Sequence, residues 1–521
     1  MAVGGRSGAS VVIRKSLIFV HRWMGVALSA LFLLWFASGV VMMYWDFPSV
    51  RAEDRLERAP ALDASRVRLS PAEAFASLGI SRSPTQIRLN TFDGRPVYRI
   101  RSGGAESLVY ADTGERQASV NPAMTMRIAS AWTGQPEAAA SVESVQDVDQ
   151  WTVQGGLRNL RPLWKYSWPN GEQVYVSGVT GDVVQYTTSR SRFWAYGGAI
   201  PHWLYFTPLR KHQAGWSRFV IWTSGAGTIS AILGLSIGIW MYSPSKRYRH
   251  DGARASIPYR GQKRWHTIFG LVFGLGAVTW AFSGMLSMDP FPGRAGGSPR
   301  AERGAEVART LRGNFQLAAF QSKSPREALL QLADLKVKEM ELTSIAHEPV
   351  YLAMIARGDT RIVPVHGDPL RQVGADRVMA TIRRSLEPTS VAELRLLEDY
   401  DAYYLDRRRE RPLPVVLLRL NDANQTRYYI DPATARVAGS YNSRMWMSRW
   451  LYHGLHSLEF PWLYKHRPLW DIVVIGFMAG GTALCVTSLI LAWRVVTRRA
   501  MRLFGASREP AASEDLMNVL E

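Results

Sequence analysis

Residues 21–45 read HRWMGVALSALFLLWFASGVVMMYW, and residues 266–288 read HTIFGLVFGLGAVTWAFSGMLSM. Each opens on a histidine and carries His-x-x-x-Gly followed by Trp-x-x-Ser-Gly. His21, Gly25, Trp35, Ser38 and Gly39 lie 245 positions before His266, Gly270, Trp280, Ser283 and Gly284. Each stretch is apolar over the roughly 20 residues that a helix needs to cross a bilayer. Two more runs, Phe219–Tyr242 and Ile472–Trp493, reach that length, and Asp, Glu, Lys and Arg are missing from the apolar part of all four. A mean hydropathy of −0.10 conceals them by averaging them with long polar stretches. The pattern predicts a membrane α-helical protein with four transmembrane helices.

The chain has 63 Lys and Arg against 43 Asp and Glu, a net charge of +20. Much of the excess brackets the runs on one side: Arg14, Lys15 and Arg22, then Lys246, Arg247, Arg249, Arg254, Arg260, Lys263 and Arg264, then Arg494, Arg498, Arg499 and Arg502. Basic flanks stay on the cytoplasmic side. Both termini are then inside, and the long polar stretches face the periplasm. The expected layout is a cytoplasmic start at 1–16, spans at 17–45, 216–242, 265–288 and 471–493, outer regions at 46–215 and 289–470, a basic cytoplasmic loop at 243–264 and a tail at 494–521. The first run is too long for a cleaved leader and lacks a small-x-small exit, so it reads as an uncleaved anchor in a bacterial inner membrane. Because the basic residues bracket spans and meet anionic lipid, a nucleic-acid partner is not expected. The single cysteine, Cys485, excludes an internal disulfide and any cysteine-ligated zinc or iron–sulfur site.

The repeat extends past the spans. Ser70-Pro71-Ala72-Glu73-Ala74 answers Ser324-Pro325-Arg326-Glu327-Ala328, each a serine N-cap with proline in the first turn and glutamate three residues on. Pro96-Val97-Tyr98 answers Pro349-Val350-Tyr351, opening a strand, and Val174–Gly181 answers Tyr428–Ala435, a strand running into a turn. His202, His212 and Trp216 lie 254 positions before His456, His466 and Trp470. The fold expected is a duplicated 2+2 bundle with two outer α+β regions, related by a pseudo-two-fold axis along the membrane normal.

Twin imidazoles on matching membrane helices point to haem iron, for which imidazole is a common axial ligand. His21 and His266 form the first candidate pair, near the cytoplasmic face. Gly25 and Gly270 lie one turn on, and Gly39 and Gly284 five turns on, leaving room for a flat macrocycle on that face. His202 and His456 form a second pair on the periplasmic side, near the level where Gly39 and Gly284 open space, with His453 as the rival to His456. The competing readings are small-residue helix packing for the first pair and an interfacial aromatic belt for the second. Arg22, Lys263 and Arg264 inside, and Arg210 and Arg218 outside, are candidate partners for haem carboxylates. Trp35 and Trp280 lie between the two levels. His212 and His466 sit beside charged residues and read as surface groups; His250, His347 and His366 have no repeat partner and read as solvent-exposed. Without a Cys-x-x-Cys-His motif any haem is of the non-covalent b type. No Gly-x-Gly-x-x-Gly follows a strand, so no NAD or flavin domain is expected in this chain.

The residues His21-Arg22-Trp23-Met24-Gly25 with Ser38-Gly39, the Ser-Pro-x-Glu-Ala pieces, the strand-turns ending at Thr180-Gly181 and Thr434-Ala435, and Leu455-His456 ahead of the last span resemble the PepSY-associated transmembrane proteins, which include iron-regulated membrane proteins and ferrisiderophore reductases. The resemblance covers nearly the whole chain; Thr267 and Ala435 depart from the pattern. It implies b-type haem held by membrane histidines, to which the residues themselves add a second haem at His202 and His456; the function expected is electron transfer from a cytoplasmic flavin reductase or membrane quinol to a periplasmic ferric siderophore or other ferric chelate. Two other readings stand beside it: a non-catalytic regulator that binds a periplasmic peptidase, and an iron-chelate or proton transporter with histidine relays.

Overall fold

The computed structural model describes residues 5–290, 307, 311–313 and 315–505. Four long helices dominate: α1 (Gly5–Met42), α2 (Gln213–Met241), α3 (Gly261–Leu286) and α4 (Leu469–Gly505). Each contains a stretch long and apolar enough to cross a membrane: Val11–Met42, Gln213–Met241, Gly261–Leu286 and Leu469–Arg502. The chain is thus built as a membrane protein with added α+β regions. The helices begin a few residues before the apolar runs, because backbone hydrogen bonding propagates into flanks such as Gln213–Arg218 and Gly261–Arg264 that do not break it. They pack as a ring in which α1 touches α2 and α4, and α3 touches α2 and α4. The histidine-bearing helices α1 and α3 therefore lie on a diagonal.

Between α1 and α2 the chain forms β1 (Gln86–Phe92), β2 (Arg95–Ser102) and β3 (Ala105–Tyr110), a helix at Pro122–Thr133, and β4 (Ser141–Val145), β5 (Leu163–Ser167), β6 (Gln173–Ser177) and β7 (Val183–Thr187). A short hairpin, β8 (Tyr248–His250) and β9 (Ala253–Ala255), links α2 to α3. Between α3 and α4 the order is β10 (Glu339–Ile345), β11 (Glu348–Ala356) and β12 (Asp359–Pro364), a helix at Ala375–Ser385, then β13 (Val391–Leu397), β14 (Val415–Leu420), β15 (Arg427–Asp431) and β16 (Arg436–Tyr441).

Matched motifs adopt matched geometry. Ser70 accepts from the Glu73 amide at 3.2 Å while the Glu73 carboxylate accepts from the Ser70 amide at 2.7 Å; Ser324 and Glu327 do the same at 3.2 and 2.6 Å. Tyr98 and Tyr351, both buried, donate to the carbonyls of Leu69 and Lys323. At the strand-turns, Gly181 has φ +71° and Ala435 has φ +54°. The second turn thus keeps a left-handed conformation that glycine adopts freely and alanine adopts at a cost of about 1 kcal/mol.

The outer regions are not two separate modules. β1 pairs antiparallel with β10, Ile87 opposite Leu342 and Leu89 opposite Met340, giving one six-stranded sheet in the order β12-β11-β10-β1-β2-β3. All four side chains are buried in a core that also holds Ala74, Tyr98, Ala328 and Tyr351. An apolar face on each three-stranded piece and an open edge on β1 and β10 make this joining favourable. The other sheets, β4–β7 and β13–β16, have four strands each. The β4–β7 sheet lays Leu163, Tyr175 and Val184 against Ala199 and Ile200, so it seats the segment that carries His202.

Arg88 and Glu341 are directly opposed across β1 and β10. In a Cys485→Ser background, Arg88→Cys with Glu341→Cys is expected to form a disulfide on mild oxidation, seen as a mobility shift on non-reducing gels. No cross-link would contradict the shared sheet.

Candidate functional site

The diagonal placement of α1 and α3 brings His21 and His266 face to face, ring centres 6.2 Å apart and planes inclined at 38°. They line a cavity of about 1080 Å³ at the basic end of the bundle. Gly25 and Gly270 are on its wall, and a β-carbon at either would meet nothing nearer than 3.6 Å. Gly234 on α2 is the tight position: a β-carbon there would lie 2.6 Å from Cε1 of His21. Its missing side chain is what lets the imidazole turn inward.

His202 and His456 form the second pair, ring centres 6.1 Å apart and planes at 64°, around a smaller cleft of about 190 Å³. Neither histidine is on a long helix. Each rides a short helical turn, Ala199–Trp203 or Leu455–Ser457, that ends in a leucine with left-handed backbone, Leu204 at φ +53° and Leu458 at φ +50°. Each turn is tied to the next long helix by an indole: Trp216 donates to the Trp203 carbonyl at 2.9 Å, and Trp470 to the Ser457 carbonyl at 3.1 Å. Strained non-glycine backbone held this firmly is characteristic of working sites. A π-helical stretch, Met447–Gly454, leads into the second turn.

The Trp-x-x-Ser-Gly motif turns out to be the seat of this outer pair. Nδ1 of His202 donates to the Trp35 carbonyl at 3.0 Å and lies 3.3 Å from Oγ of Ser38. Nδ1 of His456 lies 3.0 Å from Oγ of Ser283. A β-carbon at Gly39 would sit 3.4 Å from Cε1 of His202, and one at Gly284 would sit 3.7 Å from Cε1 of His456. Gly39 therefore faces His202 and Met478, while Gly284 lines the outer cleft; neither borders the cavity of the first pair.

Hydrogen bonding assigns one tautomer to all four rings. Nδ1 of His21 meets the Ser230 carbonyl at 3.0 Å, and Nδ1 of His266 meets Oγ1 of Thr487 at 3.3 Å. The hydroxyls of Ser283 and Thr487 already donate to carbonyls of their own helices, so they accept from the imidazoles. With Nδ1 the donor in each case, the Nε2 lone pair is left bare, and no hydrogen bond engages it among the described residues. A neutral imidazole oriented through its other nitrogen is the form that binds metals. Two imidazoles trans on one metal, with bonds of about 2.0 Å and about 1.2 Å from nitrogen to ring centre, place their centres roughly 6.4 Å apart. Both pairs sit within a few tenths of an ångström of that spacing. Among the described residues no three His, Cys, Asp or Glu side chains cluster as a metal site.

Between the pairs lies an aromatic layer. Phe32 and Phe36 border both cavities, and buried Phe36 meets buried Trp280 edge-on at 5.7 Å. Trp35 borders the outer cleft only. Of the candidate anion partners, Arg22 and Lys263 line the inner cavity and Arg264 does not. Arg218 is exposed. Arg210 is buried between the rings of Tyr205 and Trp216, donating to the Val153 carbonyl at 3.1 Å.

His453 is not on the outer cleft; its Nδ1 lies 3.8 Å from the Glu459 carboxylate and its ring 4.7 Å from Tyr452. Burial holds the Glu459 carboxyl above its ordinary range against the opposing pull of Arg449, and burial with Arg449 lowers His453, so the pair favours neutral forms. His212 is exposed, and His466 is exposed with Nδ1 on the Trp462 carbonyl. His347 and His366 are exposed, but His250 is half-buried in the β8–β9 hairpin, where it donates to the Ile257 carbonyl at 2.8 Å.

No protein-family profile and no curated protein sequence matches this chain.

Sequence reading missed Ser230, Gly234 and Thr487, which orient the inner pair from α2 and α4. Their only signal is a glycine- and hydroxyl-rich composition in two spans, and small-residue packing produces the same. Gly234→Ala is expected to force His21 off the Ser230 carbonyl and cost about 1–3 kcal/mol through overpacking, lowering the thermal unfolding midpoint in detergent. Gly25→Ala, with space around it, should leave the midpoint unchanged.

Proposed function

We propose that this chain is a duplicated inner-membrane b-type cytochrome of the PepSY-associated transmembrane kind, moving electrons across the bilayer to a ferric chelate. The observation that carries the reading is the pair of imidazole pairs. One lies at each end of a four-helix ring, each has the spacing of two ligands on one metal, and each has its Nε2 atoms free. Both pairs take one member from each half. A lone metal ion with two imidazoles would lack further protein ligands among the described residues, whereas a porphyrin would supply the remaining ligands itself. His21 and His266 would hold the inner haem, between Gly25 and Gly270; His202 and His456 would hold the outer one. Haem iron at such sites exchanges one electron at a potential set by axial ligation, hydrogen bonding and burial.

The rest of the work belongs to this chain's side chains. Ser230, Trp35, Ser283 and Thr487 hold each imidazole proton on Nδ1 and fix ring orientation. Phe32, Phe36 and Trp280 keep water from the space between the pairs. Arg22 and Lys263 face the cavity where an anionic edge would be neutralised. The basic end is cytoplasmic by its charge, so the donor, a flavin reductase or membrane quinol, meets the His21–His266 end. The sheets stand on the periplasmic side and restrict access to the His202–His456 end. Reducing a chelated ferric ion there releases it, since ferrous iron is less charged and binds hydroxamate or catecholate oxygens more weakly.

The purified protein, made with ample haem supply, is expected to carry two haems per chain, with a Soret band at about 410–430 nm that sharpens on dithionite, as for bis-imidazole ligation. His21→Ala or His266→Ala should remove one haem, and His202→Ala or His456→Ala the other, while His453→Ala leaves the ratio at two. A colourless protein, or unchanged stoichiometry in all four variants, would overturn the assignment.

A further inference from the structure

The inner cavity is far more cationic at its mouth than two haem carboxylates require. Its lining includes Arg22, Arg260, Lys263, Arg494, Arg498, Arg499 and Arg502 and no Asp or Glu. Arg260 is paired with Asp251 at 2.8 Å, and Arg499 lies over the Trp23 ring. Arg494, Arg498 and Arg502 are spaced by four along α4 and so form a stripe on one face. Like charges at that spacing destabilise a helix, and no carboxylate among the described residues pairs with them. The cavity wall also holds two donors without a partner, Oγ of Ser29, on a residue only 5% exposed, and Nε1 of Trp23. The positive-inside tendency explains basic residues at this end. It does not explain why a helix-face stripe of them borders the cavity that leads to His21 and His266.

We infer that this mouth is a binding site for a planar, phosphate-bearing reductant of the reduced flavin-nucleotide class, its phosphate on the Arg494–Arg498–Arg502 stripe. The inference rests on the electron-transfer reading and names the donor for it. With the space between His21 and His266 left to the haem, an aromatic ring system suits the apolar lining nearer the rim, which includes Ile18, Trp23 and Val495, and a phosphate suits the rim itself. A reduced flavin gives up two electrons and two protons; two bound ferric haems would take one electron each, and the protons would go to solvent. A free nucleotide and a lipid headgroup present the same phosphate. The three arginines are exposed and line the cavity, and that cavity-facing position favours the nucleotide.

The test uses the haem-loaded protein in phosphatidylcholine nanodiscs. Oxidised FMN and riboflavin are titrated by fluorescence quenching, and anaerobic haem reduction by their reduced forms is followed by stopped flow. FMN is expected to bind about tenfold more tightly than riboflavin at low salt and to reduce the haem correspondingly faster, an advantage lost at high ionic strength. The advantage should vanish in the Arg494→Gln/Arg498→Gln/Arg502→Gln variant with haem content and riboflavin rate unchanged. On the unmodified protein, pyrophosphate should compete with FMN. Equal binding of FMN and riboflavin, or no competition by pyrophosphate, overturns the site. So does loss of FMN selectivity in discs containing phosphatidylglycerol, which would assign the stripe to lipid. Protein that stays haem-free despite ample haem supply yet selects FMN would sink the cytochrome reading and leave this site standing; haem-replete protein without selectivity sinks only this site.

Discussion

An imidazole in an apolar interior needs a partner for its N–H, and the way this chain supplies that partner organises both ends of the bundle. The carbonyls of Ser230 and Trp35 and the hydroxyls of Ser283 and Thr487 each take an Nδ1 proton. A buried polar hydrogen left unpaired costs about 1–3 kcal/mol, so these contacts hold the rings as well as satisfy them. Once Nδ1 is committed, Nε2 is left without a hydrogen-bond partner among the described residues. The spacing of the pairs, the bare lone pairs and the glycines that make room for Cε1 all follow from that arrangement.

The two pairs reach similar geometry by different routes. The inner one rests on regular helices: side chains on α1 and α3 meet across the diagonal because small residues on α2 and α4 let them in. The outer one rests on short turns outside the long helices, anchored by Trp216 and Trp470 and ended by left-handed leucines. Its position therefore depends on the folded sheets behind it, through Ala199 and Ile200 on the β4–β7 sheet and through Arg449, which donates to the carbonyls of Ala402 and Glu459. The sheet regions are structural supports of the outer site, whatever else they bind.

Much of the plan was legible in the sequence because it rests on local rules. Unbroken apolar length announces a bilayer-length helix. Serine followed by proline and then by glutamate announces a capped helix start, found at Pro71 and Pro325. The constant 245- and 254-residue offsets pick out six histidines, of which the fold sets four in neighbouring pairs and leaves His212 and His466 exposed. The level of Gly39 and Gly284, near the second pair, was legible; the direct contact of Trp-x-x-Ser-Gly with that pair was not. On a lone helix, Gly39 belongs to the face of His21, and only the later return of the chain places His202 against it. The joining of β1 to β10 was hidden for a similar reason, since an open strand edge does not encode which distant edge will cover it.

The sequence by itself determined four membrane-length helices, a charge bias that orders their ends, and paired histidines at fixed offsets, since hydropathy, charge and periodicity are properties of neighbouring residues. Tertiary structure alone decided which nitrogen each histidine presents, that one six-stranded sheet spans both α+β regions, and that arginines one turn apart on α4 border a cavity. Those outcomes depend on contacts between residues hundreds of positions apart, and burial and geometry at such contacts are set by the whole packed chain.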